Sequence, residues 1–298
     1  MNQNTLNQET LSKIKDGYVQ KKVPMTLGGE DMYIAYRSWG DEANPQKLYC
    51  LHGVTRNCRD FDYLGASLSD ECHVLCLDTI GRGRSSYFAD VANYTMANVI
   101  AAVSNVIKAT SNDKINLLGT SMGGLVTMAL AAREVLPVDR IILNDVGPFV
   151  PVDLNRAISL HENAKPKHFA NWDLALAYHE ENYQSFGPMN ELQWEMFTRN
   201  GMRELADGSF VYDYDPNIQK PIASFSNSDF DVWHLYDPIK CPTLVIRGET
   251  SRALLPEVAQ EMTQRGPKAE LIEIPITGHA PHLMSDEQVK IVRDWLAK

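Results

Sequence analysis

The stretch INLLGTSMGGLVTMALAAREV, Ile115 to Val135, leaves little freedom in how its surroundings can be built. An apolar run of strand character ends at Gly119, and an apolar run of helical character begins at Gly123. Only Thr120, Ser121 and Met122 lie between them. A strand that passes into a helix through so short a turn belongs to a sheet with helices packed on its faces. The turn itself must be sharp. Glycines at both ends of it allow the close packing that such a turn needs.

The same alternation recurs along the chain. MYIAYRSW and KLYCLHG read as successive strands, and HVLCLD follows the helical stretch DFDYLGASLSDE. TMANVIAAVSNVIKAT places Met96, Val99, Ile100, Val103, Val106 and Ile107 near helical spacing. RIILND, TLVIRG and AELIEIP complete the strands. SDEQVKIVRDWLAK closes the chain as a helix, with Ser285 and Gln288 spaced for a capping box. Strands alternating with helices predict a mostly parallel sheet covered on both faces. The rhythm breaks between RIILND and TLVIRG, a span far too long for a plain connection. It carries Trp172, Trp194 and Trp233 with many Tyr and Phe, and predicts a mainly helical insertion with its own aromatic core.

Composition narrows the class. A length of 298 residues, 44% hydrophobic and 22% charged, can bury a sizeable core without staples. A formal net charge of −10 argues against nucleic-acid binding, which needs a basic footprint, and against an electrostatic membrane anchor. No apolar run approaches the length of a spanning helix. The polar start MNQNTLNQETLSKIKDGYVQ has no apolar core of a secretory leader. Five cysteines without a regular framework read as reduced thiols, so a cytoplasmic protein is expected. Cys72, His73 and Cys76 in CHVLCLD are read as a buried strand rather than a metal site.

Gly119-Thr120-Ser121-Met122-Gly123 satisfies G-x-S-x-G in a strand–turn–helix context, the setting in which a serine is exposed as a nucleophile. The helix behind it offers free backbone N–H groups and a positive dipole end to a developing oxyanion. A serine hydroxyl needs a base. His279, in the loop PITGHAPHL between the last strand and the last helix, is the candidate, with His282 its nearest competitor. An oxyanion hole would pair the Met122 N–H with that of Val54, from the loop in YCLHGVTRN; His52 is read as an organiser of that loop.

Taken in order, LHGVTRN, LDTIGRGRS, GTSMGG, LNDVGP, PTLVIRGE and GHAP resemble the α/β-hydrolase fold superfamily, in its serine-nucleophile, esterase-like branch, from about Met25 to Lys298. The resemblance implies a mostly parallel sheet flanked by helices, with a helical cap between strands six and seven. On that basis residues 23–148 and 236–298 form the core, 149–235 the cap, and 1–22 a polar N-terminal extension. Leu6, Leu11 and Ile14 in the extension suffice for a docked amphipathic turn.

The resemblance also places the acid of a Ser–His–acid set at position 252, where this chain has arginine. A guanidinium has no acceptor and opposes formation of an imidazolium. Asp145, at the end of RIILND, is the expected substitute, since the fold's strand order sets that end beside the serine strand. Glu249 is the alternative acid, and loss of the acid altogether is a third outcome. The expected activity is hydrolysis of small or medium carboxylic esters through an acyl-enzyme on Ser121, with no cofactor and no metal. A carbon–carbon bond hydrolase acting on vinylogous diketones and a weakly active ligand-binding relative are the alternatives. The expected partner is a small-molecule ester, with neither nucleic acid nor membrane, and a homodimer is left open.

Overall fold

The computed structural model describes residues 5–157, 167–218 and 228–298. Residues 1–4 of the expected extension, and 158–166 and 219–227 of the insertion, lie outside the described residues. The sheet strands are β1 (Tyr18–Leu27), β2 (Glu30–Trp39), β3 (Lys47–Leu51), β4 (His73–Leu77), β5 (Ile115–Thr120), β6 (Val138–Asn144), β7 (Thr243–Gly248) and β8 (Glu270–Ile274). They pair in the order β1-β2-β4-β3-β5-β6-β7-β8. The two antiparallel pairings are β1 with β2 and β2 with β4; the remaining pairs are parallel. β5, which carries the serine turn, therefore lies between β3 and β6. The carboxyl ends of these parallel strands gather at one edge.

Both faces of the sheet are covered, and the period of two in each strand distributes its side chains between them. Tyr49, Leu51, Leu75, Leu77 and Leu117 enter one core, together with α3 (Met96–Thr110), α4 (Met122–Ala132) and α7 (Pro256–Met262). Leu48, Cys50, Val74, Cys76 and Leu118 enter the other, with α2 (Asp62–Leu68) and α8 (Asp286–Leu296). Trp39 is fully buried in this second core. A Cβ on Gly65 would fall 2.5 Å from the Trp39 ring, so α2 can approach the sheet only with glycine there. Cys72, His73 and Cys76 are buried in or beside β4, and His73 Nε2 lies 2.7 Å from Ser38 Oγ.

Two local expectations need adjusting. β1 begins at Tyr18, so the sheet starts inside the stretch assigned to the extension, and Val23, the boundary expected from sequence, falls mid-strand. Burial alternates along β1 only from Lys21 to Leu27; the start, Tyr18–Lys21, breaks the pattern, with Val19 exposed. At α8, Ser285 caps by accepting the Gln288 N–H, but Gln288 Oε1 takes the Leu283 N–H instead of returning to residue 285. A full capping box forms at α6 (Glu191–Gly201), between Asn190 and Gln193.

Before that extension meets the sheet it forms α1 (Gln8–Asp16), capped by Asn7. Leu6, Leu11 and Ile14 pack against the second core.

Between β6 and β7 the chain leaves the sheet. Its two ends are zipped by a short antiparallel ladder, Phe149–Val150 against Phe230–Asp231. Within it, α5 (Trp172–Asn182) and α6 pack around aromatic rings: His179 stacks on Tyr183 and meets Phe169, Phe197 and Tyr212 edge-on or tilted. Trp172 packs on Phe210, Trp194 on Phe197 and Trp233 on Tyr236. The insertion is fastened to the core by backbone bonds, Gly83 N–H to Asp213 O (2.9 Å) and Asp215 N–H to Gly81 O (2.8 Å). Asn57 Nδ2 reaches Asn200 O at 2.6 Å, and Asn200 Nδ2 reaches Arg59 O at 2.8 Å. Among the described residues no helix is long and apolar enough to cross a membrane.

Candidate active site

Ser121 holds φ 53° and ψ −117°, a conformation that L-residues avoid unless the surroundings impose it. The surroundings are unforgiving. A Cβ on Gly119 would sit 2.3 Å from the Gly123 carbonyl, one on Gly123 2.1 Å from Leu51 O, and one on Gly124 2.2 Å from Val146 Cγ1. Close crossing of β5, α4 and β3 thus demands these glycines and forces the serine up between them. Its N–H donates to Asn144 O at 3.1 Å, and its carbonyl accepts the amides of Gly124 and Leu125 as α4 begins.

The loop after β3 lies against the serine: a Cβ on Gly53 would be 3.8 Å from Ser121 Cβ. Neither the Val54 nor the Met122 amide has a hydrogen-bond partner among the described residues. Buried amides are rarely left unpaired, so free donors beside a strained serine suit an incoming anion. His52 organises this loop. Its Nε2 accepts the Thr79 N–H at 3.0 Å, which leaves Nδ1 to donate to Gly53 O at 2.6 Å. Burial pushes its pKa down to about 3, consistent with a neutral ring.

Arg82, from LDTIGRGRS, spans the two candidate donor residues. Nε donates to Val54 O at 2.9 Å, Nη1 to Ile80 O at 2.7 Å, and Nη2 lies 3.5 Å from Met122 Sδ. Its side chain is buried, and burial lowers its pKa to about 10. The sequence reading did not single it out; a lone arginine between two glycines carries no such signal.

On the other side of Ser121, β6 and β7 bring Asp145 to His279. Parallel pairing of Asn144 with Ile246 aligns the end of β6 with the start of the loop after Gly248. Asp145 is fully buried at φ 52°, with its N–H bonded to Ile246 O at 2.7 Å. Its Oδ1 accepts the Gly248 N–H at 2.9 Å. Its Oδ2 accepts the Ser251 hydroxyl at 2.6 Å and faces His279 Nδ1 at 2.7 Å. A carboxylate only accepts, so Nδ1 carries the proton and Nε2 keeps its lone pair. The His279 side chain is 33% exposed. Asn144 Nδ2 ties the two halves together, donating to Thr120 Oγ1 (3.0 Å) beside the serine and to Pro281 O (2.9 Å) beyond the histidine.

Glu249 is not at His279. It is exposed, and its Oε2 accepts the Ile276 N–H at 2.8 Å, bracing the turn that leads out of β8. One residue past Gly248 the chain is already heading outward, and the Glu249 carboxylate is engaged at this turn rather than at the histidine. Arg252 is exposed, with no side-chain hydrogen bond or ion pair among the described residues. Its neighbour Ser251 is the residue of that loop that matters, and sequence reading missed it. Ser251 Oγ donates to Asp145 while accepting the amides of Ala253 and Leu254 (3.2 and 3.3 Å). The competitor His282 is buried away from Asp145. Its Nδ1 accepts the Met284 N–H at 2.9 Å, and burial pushes its pKa down to about 4.

Residues 48–291 match the family model described as the alpha/beta hydrolase family. A 3-hydroxybutyrate-oligomer hydrolase of Cupriavidus necator is 34% identical over 266 residues, covering 87% of this chain and 90% of that protein. An esterase of Mycobacterium tuberculosis is 26% identical over 239 residues, 76% of this chain and 73% of its own. Among solved structures, an alpha/beta hydrolase from Novosphingobium aromaticivorans superposes with a TM-score of 0.83 at 30% identity, covering 94% of this chain and 98% of that one.

Proposed function

The chain belongs to the alpha/beta hydrolase family, and from that premise we propose that it is a serine hydrolase of carboxylic esters. The observation that carries the proposal is the Asp145 carboxylate 2.7 Å from His279 Nδ1, in a loop that Asn144 ties to the turn of a serine held at positive φ at the head of α4. His279 Nε2 takes the proton from Ser121 Oγ as it attacks the ester carbonyl, and the resulting oxyanion is held by the Val54 and Met122 amides. The imidazolium returns that proton to the departing alcohol, leaving an acyl-serine. Water, activated by the same histidine, then releases the acid. Asp145 keeps the imidazole in the required tautomer and balances its charge.

The insertion, residues 149–235 in this reading, serves as the cap over the serine. Its residues 184–187 press on the histidine loop, with the Gly278 N–H bonded to Ser185 O at 2.5 Å. The relative that acts on 3-hydroxybutyrate oligomers makes short hydroxyacyl ester chains the first substrates to assay. A binding-only relative was suggested by Arg252; a carboxylate on His279 speaks against it. Burst release of alcohol from an activated ester and labelling by a fluorophosphonate are expected, both abolished in Ser121→Ala. A wild-type protein that neither bursts nor labels would refute the proposal.

A further inference from the structure

A cavity of about 370 Å³ opens where the insertion meets the core, and its wall is strongly cationic in a chain of net charge −10. Arg59, from the short 3-10 helix Cys58–Phe61, and Arg84 enter it from the core, Arg199 and Arg203 from the insertion, against Glu204 and Asp213 as acidic lining. Neither Ser121 nor His279 belongs to this wall. Arg203 lies 3.6 Å from Asp213, the single ion pair found among these six side chains.

The remaining guanidiniums make no direct ion pair among the described residues, although Asp213 lies near enough to act on Arg59 and Arg84. Arg59 spends Nε on Asn200 O at 3.2 Å and Nη2 on the carbonyls of Arg199 and Met202, while Nη1 has no partner among the described residues. Burial lowers its pKa, against the opposing pull of the Asp213 and Asp62 carboxylates. Arg199 lies 4.2 Å above the ring of Trp172, which fixes its plane beside the cavity. Arg84 is exposed and its side chain bonds to nothing among the described residues. Four guanidiniums face two carboxylates, Glu204 and Asp213, so the junction carries an excess of positive charge that a further anion would offset. A planar guanidinium pairs best with carboxylate or phosphate oxygens, often through two parallel bonds.

We propose that this cavity binds a small multivalent oxyanion, carboxylate or phosphate in kind, which bridges arginines of the core to arginines of the insertion. A ligand that binds only the folded, docked state also raises its stability by mass action. Calorimetric titration with inorganic pyrophosphate and with citrate, each at an ionic strength matched with potassium chloride, tests this. Saturable binding of at least one is expected, with a melting temperature that rises with its concentration and not with chloride. Binding of pyrophosphate alone assigns phosphate, and binding of citrate alone assigns carboxylate.

Arg84→Gln and Arg203→Gln, both at exposed positions, should each weaken that binding about tenfold, the loss of one charge-assisted bond. Arg84→Gln removes no contact seen in the fold, so its loss of affinity cannot be ascribed to misfolding. Absence of saturable binding by either anion would overturn the proposal. So would an affinity unchanged in the double variant.

Discussion

At the scale of single residues, the site turns on which carboxylate reaches His279. Asp145 does so because three donors, Gly248, Ser251 and His279, converge on one buried side chain. Position 252 need not supply an acceptor, and an arginine is tolerated there because its side chain leaves for solvent. The expected kinetics separate these roles. Asp145→Asn should lower kcat by about 10⁴-fold, as when a Ser–His–Asp set loses its acid. Glu249→Gln should leave kcat within about twofold, since it braces a turn. Ser251→Ala removes a hydrogen bond to a buried charge, about 1.5–3 kcal/mol, and should fall between them, near tenfold or more in kcat. Steady-state kinetics on one activated ester reads all three, and wild-type kcat in Asp145→Asn would remove this residue from the mechanism.

Among the elements, α1 extends the docked amphipathic turn expected from Leu6, Leu11 and Ile14. It is short, and helices of this length have little stability by themselves. Its hold on the core is specific: the Tyr63 hydroxyl accepts the Asn7 N–H at 2.7 Å and donates to Asp286 Oδ1 at 2.5 Å. The Asp286 N–H in turn reaches Thr5 O at 3.1 Å. One phenol thus ties the start of α1 to the start of the last helix. Tyr63→Phe keeps the buried ring and leaves two polar groups short of a partner, an expected loss of about 1–2 kcal/mol. Urea denaturation should show a lower midpoint with an unchanged slope; an unshifted midpoint would mean that the hydroxyl contributes nothing.

For the whole molecule, buried histidines weaken the fold in acid, partly offset by the buried Asp62 carboxyl, which burial pushes up to about 6. Burial holds the pKa of His282 down at about 4 and that of His52 at about 3. In the unfolded chain both would titrate near 6.5. The unfolded state therefore takes up protons that the folded state refuses, and stability contributed by their neutrality is lost as pH falls from about 6.5 toward 4. For His282 alone the loss is on the order of 3 kcal/mol. His282→Gln, which can still accept the Met284 amide, should flatten the dependence of unfolding free energy on pH over that window. A variant as acid-sensitive as the wild type would assign the effect elsewhere.

What could be read without coordinates was local. Strand and helix periods along Ile115–Val135, the glycines around Ser121, and the loop position of His279 depend on residues a few places apart, and sequence carries such patterns openly. β1 is not among the strands read from sequence, and the boundary at Val23 falls inside it, because its first residues do not alternate; Ser251 gives no sign because a loop serine resembles any other. Which acid faces the histidine is different in kind. Asp145 meets Gly248 across 103 residues and His279 across 134. That meeting depends on β6 pairing in register with β7, on the loop turning Glu249 outward and Ser251 inward, and on the insertion pressing the histidine loop from above. The sequence by itself determined the layered fold, the serine and its turn. Only the tertiary structure decided the carboxylate, the path of Arg82 to the Val54 carbonyl and the Met122 sulfur, and the arginine cavity, because each is assembled from segments that meet through packing rather than through neighbourhood along the chain.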